Sequence, residues 1–332
     1  TGNLDSKTGE EIMMLFESAG LCCLQDLGRN GYQHLGISPS GAMDSFAARV
    51  ANALLANDEN QGLLEILPSN SRLRIERGQW FALAGADLSA RLNGNPMPVC
   101  QPVWIEAGSL LEFGRAAHGC RAYLAVQGGF HAEPVLGSVA TDLRAGLGGW
   151  HGRWFQKGDR LLFREQPAHA VRPIRWHTSF ANPAFADAEP LLIIPGTHWP
   201  ALSADQQAFF LHEGWTISKD ADRMGLRLQQ ALPEPACTES VLSGPVTFGS
   251  IQLPPDNRPI ILSADRQTTG GYPLLGTVAS VSHARLAQCR PGDTLHFSCV
   301  DVQTAQRRLL ARDQHFMEWQ MHMRNWWRNT DG

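Results

Sequence analysis

The chain has 332 residues, 43% of them hydrophobic and 18% charged, which suffices for one large core or two ordinary ones, with two domains the expectation at this length. A formal net charge of -4 without any basic block argues against nucleic acid or an anionic membrane as the main partner. No apolar run approaches the roughly eighteen residues of a membrane span.

Residues 1–12 are polar and precede Met13-Met14, so they read as an appended remnant ahead of a native start, without the basic-then-apolar order of a signal peptide. A short apolar run at 21–27 leads into Gly28-Arg29-Asn30-Gly31 and then Gly36-Ile37-Ser38-Pro39-Ser40-Gly41-Ala42-Met43-Asp44, where closely spaced glycines mark tight turns. Asp44 is a good N-cap for a helix running to about Leu55, with Phe46, Val50 and Leu54 on one face. From 63 to 163 the pattern turns short and alternating: Leu73-Arg74-Ile75, Trp80-Phe81-Ala82-Leu83, Val103-Trp104-Ile105, Leu110-Leu111-Glu112-Phe113, Ala122-Tyr123-Leu124-Ala125-Val126 and Arg160-Leu161-Leu162-Phe163. Glycine or proline turns separate most of these runs, as in a closed antiparallel sheet or barrel.

A stretch rich in proline, alanine and polar residues at 166–189 reads as a linker between a domain at 13–165 and another at 190–300. The second block opens with the buried-strand run Leu191-Leu192-Ile193-Ile194 and repeats the first in outline. Asp26-x-x-Arg29-x-Gly31 recurs as Asp220-x-x-Arg223-x-Gly225, Ser40-Gly41 as Ser243-Gly244, and Gly158-Asp159-Arg160-Leu161-x-Phe163 as Gly292-Asp293-Thr294-Leu295-x-Phe297, so two tandem copies of one β fold are expected. Residues 301–332 read as a C-terminal helix.

The densest set of functional groups is Asp265-Arg266-Gln267-Thr268-Thr269-Gly270-Gly271, directly after the strand-like Pro259-Ile260-Ile261-Leu262. An acid, a base, an amide and two hydroxyls beside a glycine pair suit a ligand-facing loop at a strand end, with a polar turn as the alternative. Familiar catalytic parts are missing: the sequence has no Gly-x-x-x-x-Gly-Lys-Ser/Thr phosphate loop, no Gly-x-Ser-x-Gly elbow, no His-Glu-x-x-His and no amidase serine motif. Twelve dispersed histidines show no metal-ligand spacing, so no metal is expected. The seven cysteines at 22, 23, 100, 120, 237, 289 and 299 contain no Cys-x-x-Cys and fit reduced thiols in a cytoplasm. Only Lys7, Lys157 and Lys219 are lysines among 28 basic residues, an arginine bias that suits bidentate clamping of carboxylate or phosphate and that genomic composition would equally produce. Chemistry resting on Arg, Asp, Gln, Thr and backbone N–H groups points to electrostatic stabilisation of an anionic intermediate.

Taken with Gln25-Asp26-x-Gly28-Arg29, Ser40-Gly41-x-Met43-Asp44, Tyr123-Leu124-Ala125-Val126-x-Gly128-Gly129, Asp142-Leu143-x-Ala145-Gly146-x-Gly148-Gly149, Asp222-Arg223-Met224-Gly225 and Gln252-x-Pro254-Pro255-Asp256, that loop makes the chain resemble the allophanate hydrolase subunit 2, or biotin-dependent carboxyltransferase-like, family, which includes the C subunit of 5-oxoprolinase. The resemblance implies a mainly β protein of two tandem cyclophilin-like β-barrel domains. It also implies a B-type partner subunit and a lactam-handling A-type subunit. ATP-dependent opening of 5-oxoproline to glutamate is the main functional expectation. The alternatives are the carboxyltransferase subunit of a biotin-dependent urea-type carboxylase and a non-catalytic partner of a kinase-inhibitor protein. ATP enters as co-substrate of the complex, and no Met-Lys-Met acceptor exists, so no covalent biotin is expected on this chain. The expected site places Asp265, Arg266 and Arg223 in catalysis and Gln267, Thr269, Gly270, Gly271, Arg29, Gln25 and Asp44 around the substrate. Arg29 and Arg223 occupy equivalent places, so one of them is expected to brace its loop, and Asp44 doubles as a helix cap.

Overall fold

Alternation of apolar and polar residues, broken by turn glycines, folds residues 13–164 into two facing antiparallel sheets. The structure, a computed structural model, describes residues 13–164, 174, 176–178, 180, 189–233 and 241–329. Residues 1–12, read as an appended remnant, most of the expected linker and Cys237 lie outside the described residues. One sheet runs in the order Arg160–Leu162, Met13–Ser18, Arg72–Ile75, Leu110–Glu112, Arg91–Leu92 and Asn95–Pro96. The other runs Cys22–Gln25, Leu63–Ile66, His118–Val126, Gln79–Asp87 and Pro102–Ile105. Met14, Phe16, Leu73 and Ile75 from the first meet Leu24, Leu64, Ile66, Phe81 and Leu124 from the second in one dry core. Because side chains alternate across a strand, Leu63, Trp80, Ala82, Tyr123 and Ala125 face the other way. A helix has to cover them.

That helix is α1, Ser45–Leu54, started by Asp44, whose side chain accepts from the Ala47 amide. Phe46, Ala47, Val50, Ala51 and Leu54 bury its inner face. The chain's last helix, Val302–Arg328, closes over α1 while also touching the second half at Leu191–Pro195 and Ser280–Ser282. Phe316 packs on Phe46 with ring centroids 5.4 Å apart, Trp327 meets Trp80 edge-on at 5.3 Å, and the Trp327 indole N–H donates to the Leu54 carbonyl. Phe316, Met323 and Trp327 are thereby buried within the chain.

The second half forms a six-stranded sheet in the order Gly225–Arg227, Ile260–Leu262, Ser250–Gln252, Leu274–Val278, Leu191–Pro195 and Phe297–Cys299, with the last pair parallel. Ile193, Phe210, Trp215, Ile251, Ile261, Leu275 and Phe297 fill its core. Two short helices pack here, Ala204–His212 behind a Ser203/Gln206 capping box and His283–Gln288. The molecule is mainly β with few helices, as the sequence implies. Among the described residues no helix is long and apolar enough to cross a membrane, and no cluster of His, Cys, Asp or Glu has the makings of a metal site.

Candidate active site

Where the halves meet, a cleft of about 440 Å³ opens between three segments. The first half contributes Gly36, Ile37 and Ser38 from the turn before α1, and Asp142, Arg144, Ala145 and Leu147 from a glycine-rich turn; the second half contributes residues 265–269. Local chemistry explains each segment's place. The stretch before Asp142 lies along the Cys22–Gln25 strand, with the Thr141 amide and hydroxyl both donating to the Leu24 carbonyl. Asp26 holds it from below by accepting from the Ser138 hydroxyl and the Val139 amide, each at 2.8 Å. Asp142 then closes its own turn by accepting from the Arg144 and Ala145 amides. On the other wall, Ile260–Leu262 ends in Ser263, and the Asp265 amide donates back to the Arg223 carbonyl.

Beneath the cleft lies a buried charge network that joins the halves. Arg223 donates bidentately to Asp265, Nε to Oδ2 at 2.8 Å and Nη2 to Oδ1 at 3.0 Å. Its Nη1 donates to Glu65 and its Nη2 also reaches the Gly41 carbonyl at 2.7 Å, both across the boundary. Glu65 is fully buried and also accepts from the Met43 amide and the Tyr123 hydroxyl. Gly41 explains how its carbonyl gets there: at φ +88°, with a Cβ that would sit 2.7 Å from the Gly28 nitrogen, only glycine lets the two turns touch. A second crossing runs through Gln288, which donates to Asp44 at 2.8 Å and to the Arg121 carbonyl while accepting from the Cys120 and Arg121 amides. Arg121 in turn donates to the Ala287 carbonyl.

Burial pulls against every charge here. It pushes the Asp265 carboxyl up from its ordinary value, against the opposing pull of Arg223, and it raises Asp44 to about 6. For Arg223 burial favours the neutral form, but Glu65 and Asp265 outweigh it and hold the guanidinium firmly charged. Arg266 lacks such support: burial lowers its pKa, Asp265 raises it only in part, and its Nε finds no acceptor among the described residues. Its Nη1 donates to the Ser263 carbonyl at 3.2 Å.

The expected site residues therefore divide. Asp265, Arg266, Gln267 and Thr269 line the cleft together, but both Asp265 oxygens are occupied by Arg223. Arg223 does not line it and spends all three guanidinium nitrogens on protein partners. Arg29, fully buried, donates to the Val135 and Ala140 carbonyls, and Gln25 donates to the Thr141 carbonyl, so both brace the glycine-rich turn from behind. Asp44 is the cap of α1 and the partner of Gln288, away from the cleft. Gly270 pairs with Gly244 in a short ribbon, where a Cβ would lie 2.3 Å from the Gln252 amide, and Gly271 lies beside Ser243; neither lines the cleft. Sequence reasoning missed Arg144, whose exposed side chain meets the Met224 sulfur at 3.5 Å, and missed Glu65. The glycines around Arg144 were the available signal for the former.

Residues 35–299 match the model of the carboxyltransferase domain, subdomain A and B. The chain is 34% identical to the 5-oxoprolinase C subunit of Escherichia coli (strain K12) over 309 residues, spanning 91% of this chain and 96% of that protein. It is 36% identical to the 5-oxoprolinase C subunit of Haemophilus influenzae over 288 residues, with 85% and 89% covered. Among solved structures, Kluyveromyces lactis urea carboxylase superposes with a TM-score of 0.82 at 26% identity over 94% of this chain, which spans only 29% of that longer one.

Proposed function

This chain belongs to the carboxyltransferase domain, subdomain A and B, family, and from that premise we propose that it is the C subunit of an ATP-dependent 5-oxoprolinase, a hydrolase that opens the lactam of 5-oxoproline to glutamate as part of a complex. The observation that carries the reading is the cleft between the halves, where two guanidiniums, an amide and threonine hydroxyls converge while the neighbouring carboxylates are already committed to the protein. With Asp265 turned to Arg223 and Asp142 to its own turn, Arg144 and Arg266 are the cleft's guanidiniums that can face an anionic substrate. Arg144, exposed and lightly held, pairs with the substrate carboxylate; Gln267 and Thr269 bind the edge of the lactam. Arg266, with an unpartnered Nε, stabilises negative charge as it develops on the amide oxygen. Asp265 and Arg223 hold that loop in place.

ATP is a co-substrate of the complex, and when bound its phosphoryl group makes the lactam carbonyl electrophilic. Arg144 and Arg266 are the groups of this chain that suit phosphoryl oxygens. The chain works with a B-type subunit that completes the cleft and an A-type subunit that handles the lactam, because an open cleft does not by itself exclude water from the reaction. The cytoplasm is the compartment that suits its free cysteines. Assembling the chain with B-type and A-type partners and measuring 5-oxoproline-dependent ATP hydrolysis together with glutamate formation tests the proposal. The complex should turn over and the chain alone should show little or none. Robust turnover by the isolated chain would refute the division of labour. A complex that ignores 5-oxoproline but consumes urea with bicarbonate, ATP and a biotinylated carrier would establish the carboxyltransferase alternative.

A further inference from the structure

A second cavity, of about 270 Å³, lies between α1, the last helix and the second half and shares no lining residue with the cleft. Its walls are apolar, formed by Phe46 of α1, Pro190 and Leu192 at the start of the second half, and Ala284. Three arginines close it: Arg308 and Arg312, four residues apart and so on one side of the last helix, and Arg285 of the short helix His283–Gln288. Arg312 is fixed in place, stacked 4.7 Å over the Phe46 ring and bonded to Asp313. Arg285 and Arg308 have no ion pair among the described residues, and none joins the exposed Glu189 at the rim to any of the three. Arg285 and Arg308, with no acid paired to them among the described residues, are left to repel one another, so an anion that joins them lowers the energy of the cavity.

We propose that this cavity binds a small organic carboxylate with an aromatic or aliphatic body, the carboxylate forked by Arg285 and Arg308 and the body against Phe46 and Leu192. The apolar wall decides the class. A free inorganic anion gains nothing from Phe46, Pro190 and Leu192, whereas a carboxylate on a ring buries its apolar face there. The volume admits a fragment-sized molecule and no more. Because the cavity is built from α1, the last helix and the start of the second half, an occupant would tie together the elements that hold the two halves in register. The inference does not depend on which reaction the cleft performs.

Calorimetric titration of the full chain with benzoate, benzamide and inorganic phosphate provides the test. Benzoate should bind once per chain, with benzamide and phosphate each at least tenfold weaker. Arg308→Ala and Arg285→Ala should each weaken benzoate at least tenfold at unchanged melting temperature, while Arg266→Ala in the cleft should leave it unaltered. Arg308 is exposed, so its replacement does not endanger folding. The proposal fails if benzoate does not bind, if phosphate or benzamide matches it, if the two cavity variants bind it normally, or if Arg266→Ala abolishes binding, which would assign the ligand to the cleft.

Discussion

Two turns of this molecule are spelled almost alike and do different work. In the first half, Arg29 of Asp26-x-x-Arg29-x-Gly31 donates to carbonyls of its own half, at Val135 and Ala140. In the second, Arg223 of Asp220-x-x-Arg223-x-Gly225 holds Asp265 and reaches across to Glu65 and Gly41. The flanking residues diverge to match. Asp26 braces its neighbours, while Asp220 is exposed and Asp222 takes over the local turn by accepting from the Met224 and Gly225 amides. Gly41 is required by contact with Gly28, whereas the corresponding Gly244 has open space where a Cβ would be. A repeated motif thus specifies the local turn, and what the arginine tip meets is decided by the surrounding fold. In one copy that is a loop to brace; in the other it is the opposite half.

The comparison breaks most visibly in stability. Arg223→Ala leaves Glu65 and Asp265 buried without their counter-charge, a change that costs about 3 to 5 kcal/mol and lowers the melting temperature on the order of 10 °C. Arg29→Ala leaves backbone carbonyls unpaired and should cost about 1 to 3 kcal/mol. Thermal melts of the two variants side by side check the ranking. Equal losses would mean that the charge network between the halves contributes no more than an ordinary loop brace.

Activity sharpens the same contrast within the loop at 265–269. Arg266→Ala should lower turnover of the assembled complex by about a hundredfold, the usual scale for removing one electrostatic stabiliser, while melting far closer to the parent than Arg223→Ala does. Asp265→Ala should instead melt with Arg223→Ala, since it strips the bidentate partner from a buried guanidinium. Paired measurements of turnover and melting temperature place the boundary between bracing and chemistry at the bond between Asp265 and Arg266. If Arg266→Ala turns over normally, the loop is a structural turn.

How much of this was legible beforehand depends on how far each signal reaches along the chain. α1 with its Asp44 cap, the alternating strands and the terminal helix rest on contacts between near neighbours, and periodicity reports those directly. The Ser203/Gln206 capping box was equally local and equally available, but went unread. The loop at 265–269 announced itself by composition. Glu65 did not: within Leu63-Leu64-Glu65-Ile66 it reads as the solvent side of an alternating strand, and its buried partner, Arg223, lies 158 residues away. Nor does sequence spacing say that the last helix returns to α1, or that Arg223 of the second half closes over Glu65. Arg223 was expected to act on substrate for the same reason, as a motif shows an arginine but not the carboxylates already waiting for it.

The smallest expected effect concerns pH, and it separates a contact between the halves that titrates from one that does not. Arg223 stays charged, but Asp44, bonded to Gln288 across the boundary, is raised by burial from an ordinary value near 3.8 to about 6. The folded state therefore holds its proton more tightly than the unfolded chain, and the stability it contributes in acid is lost as pH rises from about 4 to about 6. His283 works in the opposite sense. Burial lowers it from 6.5 to about 4, so its contribution is lost as pH falls through that window. Each slope is at most about 1.4 kcal/mol per pH unit, and their opposite signs leave a small net change from this pair. Single substitutions should uncover the parts. Asn also caps helices, so Asp44→Asn can keep the start of α1 while removing the falling component, leaving stability that rises with pH relative to the parent. His283→Gln retains a donor for the Val278 carbonyl, removes the rising component, and leaves stability that falls with pH. Denaturant midpoints measured across this window should thus shift in opposite directions in the two variants; parallel or unchanged pH profiles would show that neither buried group sets the pH response.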